Sequence, residues 1–193
     1  MLPIQTQLHQ AGLEILGYCN GLSRHSPHWR HDAVLLEDLS GAEVDALGAL
    51  MLRVRAQPGQ VLIREGEAGD WMLLILSGTV DVTKKSEHAH DADNVGSDAD
   101  ADAGAGKEEV SRLAVIKEGA AVGEMSMLDS APRNASCTAL EEIQAGILTR
   151  STIAHLIHEH PAVGAKLLVK LTQLLAQRLR NTSNQLAKLL HNR

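Results

Sequence analysis

"MLRVRAQPGQVLIREGEAGDWMLLILSGTVDVT", residues 51–83, decides the fold. It holds four short apolar runs, "LRVRA", "VLIRE", "WMLLILS" and "TVDVT", separated by Pro58-Gly59, Gly66, Gly69-Asp70 and Gly78. Short strands punctuated by turn residues are the rhythm of a small all-β sandwich or barrel. The acidic stretch that follows holds eight Asp or Glu against one Lys over residues 87–109, after which "SRLAVIKEG" resumes the strand pattern. We therefore read residues 86–109 as a disordered acidic loop inserted between two adjacent strands, because so polar and charged a run cannot bury enough apolar surface to fold.

Working outward, Ser40-Gly-Ala-Glu43 is a capping box, and Val44, Leu47 and Leu50 follow at helical spacing, so a helix starts there. Upstream, residues 1–34 combine a short amphipathic stretch, Leu13, Ile15 and Leu16, with the polar "NGLSRHSPHWRHD", which fits a helical extension and a loop. Downstream, "SCTAL" and "IQAGILT" read as two more strands, and from Ser151 the spacing of Ile153, Leu156 and Ile157 is helical. Pro161 opens a final helix that runs uninterrupted to about Leu190. Its apolar positions Leu168, Leu171, Leu175, Leu186 and Leu189, with Thr182 in the same register and a second seam on Leu167, Leu174 and Leu179, predict one side on the barrel and the other on a second copy. The expected organisation is an N-terminal extension over 1–34, a β-barrel over 35–150, and C-terminal helices over 151–193 acting as lid and dimer contact.

At 193 residues one core is the expectation. No apolar run approaches the roughly 18 residues that span a bilayer, and "MLPIQTQLHQAGLEIL" lacks the basic start and cleavage site of a signal peptide, which predicts a cytoplasmic protein with no membrane contact. The net charge of −6 is concentrated in the acidic run. With no basic face, no Phe, and Trp29, Trp71 and Tyr18 as the aromatics, direct nucleic-acid binding is not expected. Cys19 and Cys137 form no Cys-x-x-Cys pair and read as buried or idle thiols. His25, His28 and His31 stand three apart and His155, His158 and His160 cluster in "HLIHEHP", but neither set brings a Cys or ordered carboxylate set, so they read as surface histidines and no metal is expected.

The chemistry concentrates in "GEMSMLDSAPRNAS", residues 123–136. Gly123 followed by a short helical turn presents free backbone N–H groups, which suit an anion. Arg133, stiffened by Pro132, carries a planar fork that grips two phosphate oxygens at once. Glu124 beside such a site needs a neutral donor, and a sugar hydroxyl supplies one. The bland alternative is a surface Glu124–Arg133 salt bridge worth about 0–1 kcal/mol.

This order of elements, with "GEAGDWMLLILSGTVDV" before "VGEMSMLDSAPRNAS" and a long helix after, resembles the cyclic nucleotide-binding domain family over residues 35–190. The resemblance implies a jelly-roll barrel in which Glu124 takes the ribose 2′-hydroxyl and Arg133 the cyclic phosphate, with Gly123, Met125, Ser126, Asn134 and Ala135 lining the site. Asn134 departs from the small residue usual after the Arg. The final "AQRLRNTSNQL" is similar to the corresponding helix of the bacterial cyclic AMP receptor proteins, which implies that Thr182 and Ser183 contact adenine, one from each subunit of a dimer. Those receptors continue into a DNA-binding domain, whereas this sequence stops at "LLHNR", so the expectation is a stand-alone sensor with an unidentified downstream protein. Its ligand is expected to be a cyclic nucleotide, cyclic AMP first. A degenerate scaffold, a cyclic dinucleotide binder and a metal enzyme of the cupin type are the alternatives. The cupin reading wants histidines on the strands, and these have none; no Ser/His/Asp or Cys/His set suggests an enzyme.

Overall fold

The computed structural model describes residues 3–25, 33–85 and 110–191. The acidic run over 86–109, Trp29, His28 and His31 lie outside the described residues. Helix α1 spans Ile4–Gln10 and strand β1 Glu14–Tyr18; helix α2 (Gly41–Gly48) precedes β2 (Leu52–Ala56), β3 (Val61–Ile63), β4 (Trp71–Ser77) and β5 (Val80–Lys85). Then follow β6 (Val110–Ile116), β7 (Ala121–Val122), helix α3 (Glu124–Asp129), β8 (Ser136–Ala139) and β9 (Ile143–Thr149), and helices α4 (Arg150–Glu159) and α5 (Pro161–His191).

The strands form two antiparallel sheets, one ordered β1-β2-β9-β4-β7 and the other β3-β8-β5-β6, packed face to face as the predicted mainly-β sandwich of jelly-roll type. Strand β4 explains its own composition. Trp71, Leu73 and Ile75 point into the core between the sheets, while Met72, Leu74 and Leu76 meet the helices on the outer face, so both faces are buried and the run is apolar without alternation.

One local expectation is corrected. Leu13 to Leu16 do not lie in a helix: β1 pairs antiparallel with β2, and the helix of this segment is α1, three residues earlier. Leu13 and Ile15 are two apart, which is strand spacing, and both pack on the inter-sheet core, with Leu8 of α1 wholly buried beside them. Cys19 and Cys137 are buried free thiols, and loss of hydration pushes them up to about 11 and about 12.

Ser40 and Glu43 make the predicted reciprocal cap: the Ser40 hydroxyl accepts from Glu43 N, and the Glu43 carboxylate accepts from Ser40 N at 2.7 Å. Glu43 has a second task. Its carboxylate accepts from Lys166 Nζ at 2.8 Å, and Lys170, one turn on, reaches Glu37 and Asp38 at 2.9 and 2.8 Å. These pairs and the buried Val163, Leu167 and Leu171 fasten the first part of α5 to the body of the domain. Beyond it, Leu179, Leu186, Leu189 and Leu190 are exposed. Of the two predicted seams, that on Leu167 and Leu174 packs inward, joined by Leu171, while Leu168 of the other is partly exposed. No described helix is long and apolar enough to cross a membrane.

Hydrogen bonds from Lys166, then those within the cap, hold the Glu43 carboxyl down at about 2, below its ordinary 4.5. A depressed carboxyl stabilises the fold above the unfolded value and loses that contribution as pH falls toward the folded one. Glu43→Gln should therefore melt below the parent protein at pH 7, and the gap should close between about pH 4.5 and about pH 2. Thermal melts of both proteins across that window check it; a gap independent of pH would remove the ion pair as its cause.

Candidate functional site

The motif around Glu124 folds as a left-handed glycine, one and a half turns of helix and a return loop. Gly123 has φ +83°, and a side chain there would meet Arg133 Nη1 at 2.8 Å and Ile63 Cδ1 at 2.9 Å, so only glycine serves. The chain turns at this point directly into α3, which sets Glu124 at its first position and buries it completely.

A buried carboxylate requires a partner, and the partner is one that sequence reasoning missed. Arg178 of α5 donates through Nη1 to Glu124 Oε1 and through Nη2 to the Ala121 carbonyl at 2.5 Å. The available signal was position: Arg178 lies four residues before Thr182, one turn away on the same helix face. The second oxygen, Glu124 Oε2, is buried without a hydrogen-bond partner among the described residues. Leaving a buried acceptor unmade costs about 1–3 kcal/mol. The geometry thus asks for one donor from outside the chain.

Arg133 sits in a slot, not in a salt bridge with Glu124. Its guanidinium lies over the Trp71 ring, 4.7 Å from the centroid, and donates from Nη2 to the Trp71 carbonyl at 2.7 Å and from Nη1 to the Gly123 carbonyl at 2.8 Å. Gly69 makes room for it, since a side chain there would collide with Arg133 Nη2. Burial disfavours the cation and lowers its pKa, while Cys137, Asp70, Glu124 and Glu67 act the other way; a guanidinium so placed stays charged. The two carbonyls take two of its five N–H groups. The Glu124–Arg133 surface ion pair considered from sequence is not formed: each charge has its own grip.

The remaining expected residues divide. Ser126 is buried, its hydroxyl donating to the Pro132 carbonyl at 3.3 Å, and it closes the loop; Met125 is 45 % exposed on α3. Asn134 is exposed, and both its carbonyl and its side-chain oxygen accept from Lys84 Nζ, at 2.9 and 3.0 Å, which adds a β5 cation that sequence reasoning also missed. Ala135 is partly buried. Thr182 and Ser183 are exposed on α5, and Thr182 Oγ1 donates to the Arg178 carbonyl at 3.0 Å, one turn along from the side chain that holds Glu124. Among the described residues no group of three or more His, Cys, Asp or Glu could hold a metal ion; His155, His158 and His160 are exposed at the end of α4.

Residues 101–160 match the family model described as the cyclic nucleotide-binding domain. A CRP-like cAMP-activated global transcriptional regulator of Mycobacterium tuberculosis is 29 % identical over 153 residues, which cover 78 % of this chain and 58 % of that protein. The chain thus spans 58 % of the length of this curated relative. Among solved structures, a cyclic nucleotide-binding domain from Methylobacillus flagellatus superposes with a TM-score of 0.74 at 29 % identity, over 94 % of this chain and 90 % of that one. The catabolite activator protein of Thermus thermophilus gives 0.65 at 26 % identity, over 81 % and 62 %.

If Arg178 supplies the charge that lets Glu124 be buried, Arg178→Met should destabilise the protein by about 1–3 kcal/mol, because an unpaired carboxylate is left behind. Adding Glu124→Gln should restore part of that loss. Urea unfolding of the parent, the single variant and the double variant checks both statements; no recovery in the double variant would mean that the pair is not the source of the loss.

Proposed function

We propose that this chain, a member of the cyclic nucleotide-binding domain family, is a sensor that binds cyclic AMP and signals by repositioning the far part of α5. The buried, unpartnered Glu124 Oε2 carries the reading. A ribose 2′-hydroxyl would donate to it, while Arg133, a cation already desolvated beside the start of α3, would turn donors to the cyclic phosphate. Gly123, Met125 and Ser126 would line the ribose and phosphate, and Asn134 and Ala135 the return of the loop.

The binding event reaches α5 through Glu124 itself. Arg178 and the ribose would share one carboxylate, so capturing the nucleotide changes what α5 gains by staying docked. A ligand shifts such an equilibrium only by its differential affinity for the two positions of the helix, and this shared carboxylate is where the difference arises. The exposed leucines of α5 favour a homodimer through that helix, with a further protein receiving the signal.

Base preference follows from donor count. Thr182 spends its hydroxyl proton on the Arg178 carbonyl, so toward a base it offers lone pairs. The adenine 6-amino group donates where guanine carries the acceptor O6, so Thr182 facing position 6 of the base would favour adenine. The regulator from Mycobacterium tuberculosis is described as cAMP-activated, which agrees with this choice.

Calorimetric titration should show binding of cyclic AMP, tighter than cyclic GMP; well-folded protein that binds neither at high micromolar concentration would leave the scaffold or cyclic dinucleotide reading in its place. Arg133→Ala should weaken cyclic AMP by about tenfold or more. Thr182→Ala and Ser183→Ala should narrow the gap between the two nucleotides more than they weaken both, and equal losses for both nucleotides would exclude an adenine contact. Light scattering should give the mass of a dimer, and a monomer at all concentrations would remove α5 as a self-contact.

A further inference from the structure

Helix α1 takes no part in the reading above, yet it reaches the slot that holds Arg133. Gln7 Oε1 accepts from Trp71 Nε1 at 3.2 Å, and Gln7 Nε2 donates to Asp70 Oδ1 at 3.4 Å, so one amide bridges the indole edge and the carboxylate next to it. The helix behind this amide is fixed. Leu8 is fully buried in the inter-sheet core, and Gln60 Nε2 donates to the Ala11 carbonyl at 3.0 Å.

The indole is not held by packing alone. A cavity of about 380 Å³ lies between α1 and β3, walled by Gln7, Gln10, Leu62, Arg64, Trp71 and Arg133, so the ring and the guanidinium both border open space. The ring packs in the inter-sheet core and is 5 % exposed, and its polar edge carries the one donor of the side chain, the indole N–H. A rotation of the indole would carry away the shelf on which the Arg133 guanidinium lies.

We propose that Gln7 is a positioning residue for the phosphate grip: by fixing the Trp71 indole it holds the Arg133 guanidinium in the attitude from which it takes an anion. This rests on the cyclic nucleotide reading for its ligand but not for its geometry. It makes α1 part of the binding apparatus, and by reciprocity the bound phosphate steadies α1.

The test is a double-mutant cycle in the full chain with Trp29→Phe, so that Trp71 is the remaining indole. Gln7→Met keeps the length of the side chain and loses both hydrogen bonds; Trp71→Phe keeps an aromatic face and loses the N–H. Each should weaken cyclic AMP by about three- to tenfold. The double variant should be no weaker than the worse single one, because both remove the same bond. Binding of adenosine, which lacks the phosphate, should not change. Unchanged cyclic AMP affinity in Gln7→Met, additive losses, or an equal loss for adenosine would overturn the proposal. In the ligand-free protein the Trp71 indole N–H resonance should exchange with solvent faster in Gln7→Met than in its parent, and an unchanged rate would overturn the tie of α1 to the slot even if no nucleotide bound. Failure of the parent to bind cyclic AMP, with the indole resonance behaving as expected, would instead count against the ligand reading alone.

Discussion

A carboxylate without access to water must be neutralised, hydrogen-bonded or both, and Glu124 is fully buried. The arrangement of the site follows from that constraint. Position one of α3 places Glu124 under the sheet edge, and Arg178 then has to come from α5, because the Arg of the same loop is engaged with two backbone carbonyls. A long helix that the fold would otherwise need only as a cover is thereby given a polar bond to the floor of the site.

The same helix is divided by its contacts. Its first three turns carry Val163, Leu167 and Leu171 into the core and two lysines onto Glu37, Asp38 and Glu43, whereas past Leu174 Arg178 supplies a charged contact to the domain. Exposed ion pairs are individually weak, but Lys170 is 5 % exposed and grips two carboxylates, which makes that end the firm one. The helix is thus firm at one end, joined to the site by a single charged side chain further along, and exposes leucines beyond it.

How much of this was legible in sequence depends on whether the partner of a group is local. The capping box at Ser40 and Glu43, the strands of 51–83 and the start of α5 at Pro161 are set by residues a few positions apart, and all appear where the pattern puts them. Leu13 to Leu16 failed because four residues cannot separate a period of two from one of 3.6, and pairing with β2 decides between them. β7, two residues long, has no period to read. Glu124 and Arg133 were legible as chemistry, yet the Trp71 and Gly123 carbonyls that hold Arg133 are backbone atoms, and Arg178 lies 54 positions from Glu124, so no local pattern could name them.

The slot around Arg133 adds a last consideration about how a binding site can be both preformed and responsive. The guanidinium is desolvated before any ligand arrives, so an anion entering there would not have to strip its water, and that cost is already met by the Trp71 face and two carbonyls. Those carbonyls belong to the first residue of β4 and to the residue before α3. An anion can therefore use the guanidinium N–H groups that the carbonyls leave, while Gly123 leads into a short helix and Trp71 into a paired strand. Gly123 adjoins Glu124, whose carboxylate is bonded to Arg178 of α5, so the phosphate slot and α5 are joined through two neighbouring residues.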